Sequence, residues 1–260
     1  MRISALVVGY VKSKVLAVQD FTFLLVGSLR RAFTPPRYIV DTLVQMDVIG
    51  VGSLPIVLLT GFFTGGVLAL QAYRTLSTFG EIGLLGEMVA LSVVRELGPV
   101  LTALMVAGRI GSGIASELGS MLVSEQVDAM RAFGTDPIRK LVLPRLFATL
   151  ATLPILTILA DFFGMLGGFF ISSSTVHLTS REYWSSVQQN LTFQDVTQGM
   201  IKPFIFAVVI AMVGCYYGLN TKGGTEGVGR STTQAMVVAS VLILVLDFFI
   251  TKFLIAIGFF

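Results

Sequence analysis

Four charged residues stand inside long apolar stretches of this sequence: Arg95, Glu96, Lys202 and Asp247. Side chains of these types can pair across helices, bind a proton or an ion, or contact the phosphate group of a lipid. A charge at the centre of a bilayer costs from about 3 kcal/mol upward, so each should face an opposite charge or a wet cavity. Further candidates of the same kind are Arg109, Asp161 and Lys252.

Arg95 and Glu96 are neighbours in the sequence and point about 100° apart on a helix, so they cannot neutralise each other face to face. We therefore predict cross-helix pairs, Glu96 with Lys202 and Arg95 with Asp247. In the alternative interpretation, Arg95 contacts a lipid phosphate. Both interpretations stay open at the level of the sequence.

The motifs of common membrane enzymes are absent. The sequence has no G-x-x-x-x-G-K-[ST], no G-x-S-x-G and no H-E-x-x-H, and its single histidine and single cysteine are His177 and Cys215. The chain therefore has no phosphate-binding loop and no metal-ligand set of its own. We expect no cofactor and no metal on this chain. Energy-requiring work would need a partner, and a lipid-metabolising enzyme is the less favoured alternative.

The elements that position these charges follow from composition. Of 260 residues, 54% are apolar and 13% are charged, about half the charged fraction of a soluble domain. Crossing a bilayer takes roughly 20 apolar residues as a helix, and the uncharged runs here are continuous, unlike barrel strands. We predict five transmembrane spans, at residues 48–72, 85–118, 146–173, 200–219 and 232–257.

Residues 1–31 are apolar but interrupted by charges, which favours a helix lying in the membrane interface. A short first span around residues 21–29 is the alternative, and no cleavable signal peptide is expected. The predicted fold class is an all-α integral membrane protein. It has an N-terminal interfacial helix, five transmembrane helices and a short cytoplasmic helix between spans 2 and 3, and residues 1–260 form one membrane domain.

The positions of lysine and arginine predict the orientation, because cytoplasmic loops are enriched in them. With the N-terminus inside, twelve of these residues fall in cytoplasmic segments and two, Arg74 and Arg181, fall outside. The C-terminus is then periplasmic. The net charge of +3 fits this membrane orientation, and no nucleic acid partner is expected.

Residues 124–137 contain the signals of a short helix between two spans. Ser124 is a suitable N-cap, Gly134 suits the left-handed position after the helix, and Asp136-Pro137 can begin the next helix. Its apolar stripe, Val127, Met130 and Phe133, could dock in a groove of a soluble partner. On the pattern alone, an ordinary interfacial loop helix fits equally well.

Small residues recur every fourth position in the second span, at Ala103, Ala107, Gly111, Ala115 and Gly119. Gly61 and Gly65 form a G-x-x-x-G pair in the first span. Such ridges let membrane helices approach closely, and packing within the chain is favoured over a subunit interface. Near residue 180, Thr179 and Glu182 fit a capping box that begins a short helix on the outer side.

Several motifs in fixed order resemble those of the MlaE/YrbE family, the permeases of MCE-type ABC transporters that handle phospholipids. They are Arg95-Glu96-Leu97-Gly98-Pro99-Val100, Ala107-Gly108-Arg109, Glu117-Leu118-Gly119-Ser120-Met121, Ser124-Glu125-Gln126-Val127-Asp128-Ala129-Met130 and Gly134-x-Asp136-Pro137. The similarity also includes Gly61-x-x-x-Gly65, the region of Gln71 and Leu246-Asp247-Phe248. It therefore spans nearly the whole chain.

The resemblance implies a phospholipid permease in the bacterial inner membrane that maintains outer-membrane lipid asymmetry. It implies a homodimer, a cytoplasmic MlaF-like ATPase that binds ATP and Mg, an MlaD-like hexamer of MCE domains and, in many members, an MlaB-like STAS protein. An ATP-independent secondary transporter that uses the intramembrane charges is the alternative function.

The resemblance also implies roles for particular residues. The ATPase-coupling set is Glu125, Val127, Asp128, Met130, Phe133, Gly134 and Asp136. The substrate-binding set, at a cavity in the dimer centre, is Leu68, Thr75, Leu76, Phe79, Arg95 and Glu96.

Overall fold

A computed structural model of the protein describes residues 2–32, 35 and 38–258, which are helical apart from short connections and contain no strand. We number the helices in chain order. They are α1 (Arg2–Ala32), α2 (Ile39–Phe79), α3 (Ile82–Val123), α4 (Gln126–Ala132), α5 (Ile138–Thr175), α6 (Ser180–Asn190), α7 (Phe193–Leu219) and α8 (Gly224–Ala256).

Five of these helices, α2, α3, α5, α7 and α8, are long and apolar enough to cross a membrane. This confirms the predicted fold class of an integral membrane protein with five spans. The helix α1 is not among the five, and the helix α4 lies between the second and third spans, as predicted. The interfacial position of α1 and the direction of the termini stay predictions.

Four π-helical turns interrupt the spans, at Asp47–Val51, Val93–Leu97, Ala107–Gly111 and Ile138–Val142. A proline lacks the N–H that would bond to the carbonyl four residues earlier, and its ring clashes with that carbonyl. In three of the turns this carbonyl belongs to the turn itself: Val51 for Pro55, Arg95 for Pro99 and Lys140 for Pro144. The wider π turn therefore gives each proline room while the span continues.

The helices α2 and α5 are in backbone contact through small residues. A Cβ atom on Gly65 would overlap with the carbonyl oxygen of Gly164, and one on Gly61 would lie 2.6 Å from the carbonyl oxygen of Ala160. The G-x-x-x-G pair of α2 therefore serves packing within the chain, which confirms the favoured interpretation.

The small residues of α3 are buried against α7. A Cβ on Gly214 would lie 3.0 Å from the carbonyl oxygen of Gly111, and one on Gly218 would lie 3.2 Å from Ala115. Ala103, Ala107 and Ala115 are fully buried within the chain. The predicted ridge thus also packs inside one chain, at the centre of the largest hydrophobic cluster.

We expect Gly65→Ala to destabilise the fold by at least about 2 kcal/mol, although alanine suits a helix interior better than glycine by about 1 kcal/mol. The added methyl group meets backbone atoms of Gly164, which can move only if α2 and α5 separate. The measurement is the free energy of unfolding in detergent. Gly83→Ala is the matched control, since nothing lies within 4 Å of its Cβ position; equal stability of the two variants would contradict the packing argument.

The helix α6 connects α5 to α7 at the end of the molecule opposite α4. Thr179 and Glu182 form the predicted capping box, and the hydrogen bonds from Thr179 lower the pKa of the Glu182 carboxyl below its ordinary value. Tyr183 is fully buried, and its hydroxyl donates to the carbonyl oxygen of Met165 at 3.0 Å. The inner face of α6 is therefore fixed to the spans.

Candidate functional site

Three buried or half-buried charges meet where α3, α7 and α8 pack together. The Lys202 side chain is fully buried, and its Nζ lies 2.5 Å from Oε2 of Glu96 and 3.0 Å from Oδ1 of Asp247. The hydroxyl of Thr251 donates to Oε1 of Glu96 at 3.1 Å. The predicted Glu96–Lys202 pair is confirmed, and one lysine is shared by two carboxylates. Lys202 and Asp247 are close enough to form an ion pair, but Oδ1 of Asp247 accepts no well-aligned hydrogen bond from any described residue.

The predicted pair of Arg95 with Asp247 is wrong. Arg95 donates from Nε to Oδ1 of Asp195 at 2.7 Å, and its Nη2 lies 2.5 Å from the same oxygen. Asp195 stands in the first turn of α7, where its other oxygen accepts from the backbone N–H of Thr192 at 2.8 Å. Because Arg95 points away from Glu96 on α3, it reaches the beginning of α7, and Asp247 is left to Lys202. The capping-box spacing of Thr192 and Asp195 was the sequence signal for this acid.

The π turn Val93–Leu97 carries both Arg95 and Glu96. Just after it, Gly98 lies directly against Asp161 of α5, whose carboxylate oxygen occupies the space that a Cβ on Gly98 would need. Asp161 is buried, and its Oδ1 has no hydrogen-bond partner among the described residues. The absence of a side chain on Gly98 therefore makes room for this acid where α5 and α3 approach each other.

The two other intramembrane candidates have different surroundings. Arg109 donates from Nη1 to the hydroxyl of Ser53 at 2.9 Å and to the carbonyl oxygen of Val48 at 3.3 Å, so it ties α3 to the beginning of α2. Lys252, near the end of α8, is exposed. Neither joins the cluster of Glu96, Lys202 and Asp247.

A groove of about 320 Å³ runs along the exposed side of α2. It is lined by Phe63, Thr64, Val67, Leu68, Gln71 and Leu97. Leu97 belongs to the same π turn of α3 as Arg95 and Glu96, so one wall of the groove comes from the turn that carries these charges. An apolar groove with a few polar groups suits an acyl chain.

The residues predicted to bind substrate divide by position. Leu68 lines the groove, and Thr75 and Phe79 are exposed further along α2. Leu76 points the other way and is buried in a cluster with Ala72 and Leu85. Substrate contact at these positions stays a prediction.

The short helix α4 differs in detail from the predicted one. It has seven residues and begins at Gln126, after Glu125 in a left-handed conformation with φ of 60°. The predicted N-cap Ser124 is wrong, since its hydroxyl donates to the carbonyl of Ser120 in the preceding helix. Gly134 does have the predicted positive φ, of 76°. Asp136 caps the next helix as predicted, because its Oδ1 accepts from the N–H of Ile138 at 3.0 Å.

Val127 and Met130 of α4 and its C-terminal cap Phe133 do not form one exposed apolar stripe. Val127 is fully buried in the main hydrophobic cluster, and Met130 packs against that cluster. Phe133 is 88% exposed. Asp128 pairs with Arg131 at the surface at 2.9 Å. The surface that α4 offers to a partner is therefore Phe133 with a charged pair beside it, while Val127 anchors α4 to the spans.

Ion pairs connect the segment after α4 to the first two helices. Arg31 of α1 donates to Asp136 at 2.6 Å, and Lys140 pairs with Asp41 at the beginning of α2. These connecting residues, apart from Asp136, were missed in the sequence, because no local motif marks a pair between residues about a hundred positions apart. Deeper in the spans, the buried Arg145 pairs with Glu117 of α3 at 2.7 Å.

Comparison with known proteins gives a consistent result along most of the chain. The sequence model of a family described as Permease MlaE matches residues 42–253. A probable ABC transporter permease of Rickettsia typhi is 42% identical over 234 residues, which cover 90% of this chain and 89% of that protein.

Two further relatives come from other bacteria. A probable ABC transporter permease of Synechocystis is 42% identical over 233 residues, covering 90% of this chain and 86% of the relative. The intermembrane phospholipid transport system permease protein MlaE of Haemophilus influenzae is 39% identical over 215 residues, covering 82% of each chain. The family match at residues 42–253 spans the π turn at Val93–Leu97, the helix α4 and the charges on α7 and α8.

Proposed function

This chain belongs to the MlaE family of ABC transporter permeases, and from this premise we propose that it moves glycerophospholipid between the inner membrane and a periplasmic MCE-domain protein. ATP binding and hydrolysis take place on a cytoplasmic ATPase subunit, which also holds the Mg ion. The transport maintains the lipid asymmetry of the outer membrane. The Haemophilus relative, a permease of an intermembrane phospholipid transport system, supports the lipid class.

One observation supports the ATP-driven mechanism most directly. A large apolar side chain, Phe133, is almost fully exposed at the end of a helix whose Val127 is buried in the core and whose Met130 packs against that core. An exposed aromatic residue beside a charged pair is the composition of a protein–protein contact. We assign Phe133, with the exposed Asp128 beside it, to contact with the ATPase, while Arg131 faces a separate pocket at this end of the molecule.

The contacts around α4 provide a path for force from the ATPase. A displacement of α4 acts on the core through Val127, and on α1 through the Asp136–Arg31 pair. The ion pair between the buried Arg145 and the exposed Glu117 then connects the beginning of α5 to α3. Since α3 also carries Glu96 and lines the groove on α2, movement of α3 changes the space available to an acyl chain.

The remaining features of the assembly are part of the same proposal. Two copies of the chain face each other and close a lipid cavity between them. The N-terminus lies in the cytoplasm, the C-terminus lies in the periplasm, and an MCE-domain hexamer sits on the end that carries α6. A STAS-type protein binds with the ATPase.

The alternative of an ATP-independent transporter would use Glu96, Lys202 and Asp247 as an ion or proton site. Lys202 already neutralises part of this cluster, and Arg95 and Asp195 pair with each other. This arrangement favours a structural role for the charges over a site that is vacated in each cycle.

Affinity purification of the full chain from its native membrane in mild detergent tests the proposed function. We expect mass spectrometry to detect an ATPase and an MCE-domain protein, together with bound phospholipid. In liposomes, this complex should transfer phospholipid only when ATP is hydrolysed. Purification of a homodimer without these proteins, with transport that continues in the absence of ATP, would overturn the proposal in favour of the secondary transporter.

A further inference from the structure

A second pocket, of about 390 Å³, lies between α1, the segment after α4 and the end of α7. It is at the α4 end of the molecule and is separate from the groove on α2, with which it shares no lining residue. Its volume falls in the range of small-ligand pockets, roughly 300–1,000 Å³. The pocket is therefore large enough for the headgroup and glycerol of one lipid.

The lining combines an apolar part with charges of both signs. Phe23 and Leu24 of α1 and Leu219 of α7 provide apolar surface. Asp20 contributes an exposed carboxylate that forms no ion pair with any residue the structure describes. Arg131 contributes a guanidinium. A ligand that fills this pocket is thus expected to carry an apolar tail, an anionic group and a cationic group.

The two charges are accessible to such a ligand for different reasons. Arg131 donates to Asp128 through a single nitrogen, and both side chains are more than 60% exposed, so this ion pair is weak. The other N–H groups of the Arg131 guanidinium can still donate to a ligand. Asp136, the other acid of the lining, is already paired with Arg31. Asp20 is therefore the acid that remains to accept a cation.

We infer that this pocket binds the headgroup of a zwitterionic phospholipid with a primary ammonium, of the phosphatidylethanolamine type. The phosphate contacts Arg131, since a guanidinium binds phosphate through charge-assisted hydrogen bonds. The ammonium donates to Asp20, and the acyl chains leave along Phe23 and Leu24. A lipid with a net negative charge meets the Asp20 carboxylate without compensation. The site goes beyond the proposed function, because it holds a lipid that links α1 to the coupling segment and is not transported.

The test uses the full chain in nanodiscs that contain equal amounts of phosphatidylethanolamine and phosphatidylglycerol. A photoreactive benzoylphenylalanine replaces Phe23, which is 64% exposed, or Val18, which is 67% exposed and outside the pocket. Mass spectrometry of the adducts gives the ratio of the two lipids at each position. We expect the ratio of phosphatidylethanolamine adducts to phosphatidylglycerol adducts to be about fivefold higher at position 23 than at position 18, as charge complementarity predicts. Neither ATP nor transport is needed, so the result is independent of the proposed function.

Two acid variants isolate the role of Asp20. Asp20→Asn should bring the ratio at position 23 down to that at position 18. Glu226→Gln, which neutralises an exposed acid outside the pocket lining, should leave it unchanged. Equal ratios at both positions in the parent chain would mean surrounding bulk lipid only and would overturn the inference. Adducts to a protein in place of lipid at position 23 would also overturn it, since the pocket would then be a protein-docking surface.

Discussion

Replacing Lys202 with methionine is expected to destabilise the protein by about 3–5 kcal/mol, the cost of removing one partner from a buried ion pair. Lys202 is fully buried and neutralises both Glu96 and Asp247, so the variant leaves two carboxylates close together without a cation. Methionine has a similar length, so the change tests charge more than volume. The measurement is SDS-induced unfolding in mixed micelles, followed by circular dichroism.

Two comparisons show whether the effect comes from the charges. Lys222→Met, just beyond the end of α7, removes an exposed lysine and should change the free energy of unfolding by less than about 0.5 kcal/mol. The triple variant Lys202→Met/Glu96→Gln/Asp247→Asn should recover at least about half of the loss, because no uncompensated charge remains. If Lys202→Met and Lys222→Met had the same free energy of unfolding, the cluster would contribute nothing to the stability of the fold.

The hydrophobic runs in the sequence located all five long helices, but every predicted span began too late and the first three also ended too early. The predicted span at residues 48–72 lies inside a helix that extends over Ile39–Phe79, and the span at 146–173 lies inside Ile138–Thr175. The added turns contain charged residues such as Asp41 and Lys140 that hydropathy assigns to loops. These turns stay helical because they bond to their own backbone and pair with each other across helices.

Hydropathy and composition have a similar limit for the intramembrane charges. Composition identifies a charge that must be paired inside a membrane, but its partner depends on how the helices pack, which one sequence does not contain. Glu96 and Lys202 were matched correctly, whereas the partner of Arg95 was an acid in the first turn of α7 that looked like part of a loop. For α4, helical spacing placed Val127 and Phe133 on related faces and could not indicate that one is buried in the core.

Phe133→Asp should abolish binding of the ATPase while leaving the fold intact. Truncation of an aromatic residue at the centre of an interface costs 2 kcal/mol or more, about thirtyfold in affinity, and a charge at that position adds the cost of its desolvation. Because Phe133 is 88% exposed within the chain, the free energy of unfolding should change by less than about 0.5 kcal/mol. Two quantities are measured: the amount of ATPase that co-purifies with the variant chain, and the free energy of unfolding of that chain.

Two variants distinguish loss of contact from loss of structure. Phe193→Asp changes a phenylalanine that is 85% exposed at the opposite end of the molecule, so it should retain the ATPase. Val127→Asp places a charge in the core and should destabilise the chain itself, since Val127 is fully buried. If Phe133→Asp kept the ATPase at the level of Phe193→Asp, the coupling surface would have to lie elsewhere on the α4 end. A loss of the ATPase with Phe133→Asp and not with Phe193→Asp means that the contact passes through this single exposed ring.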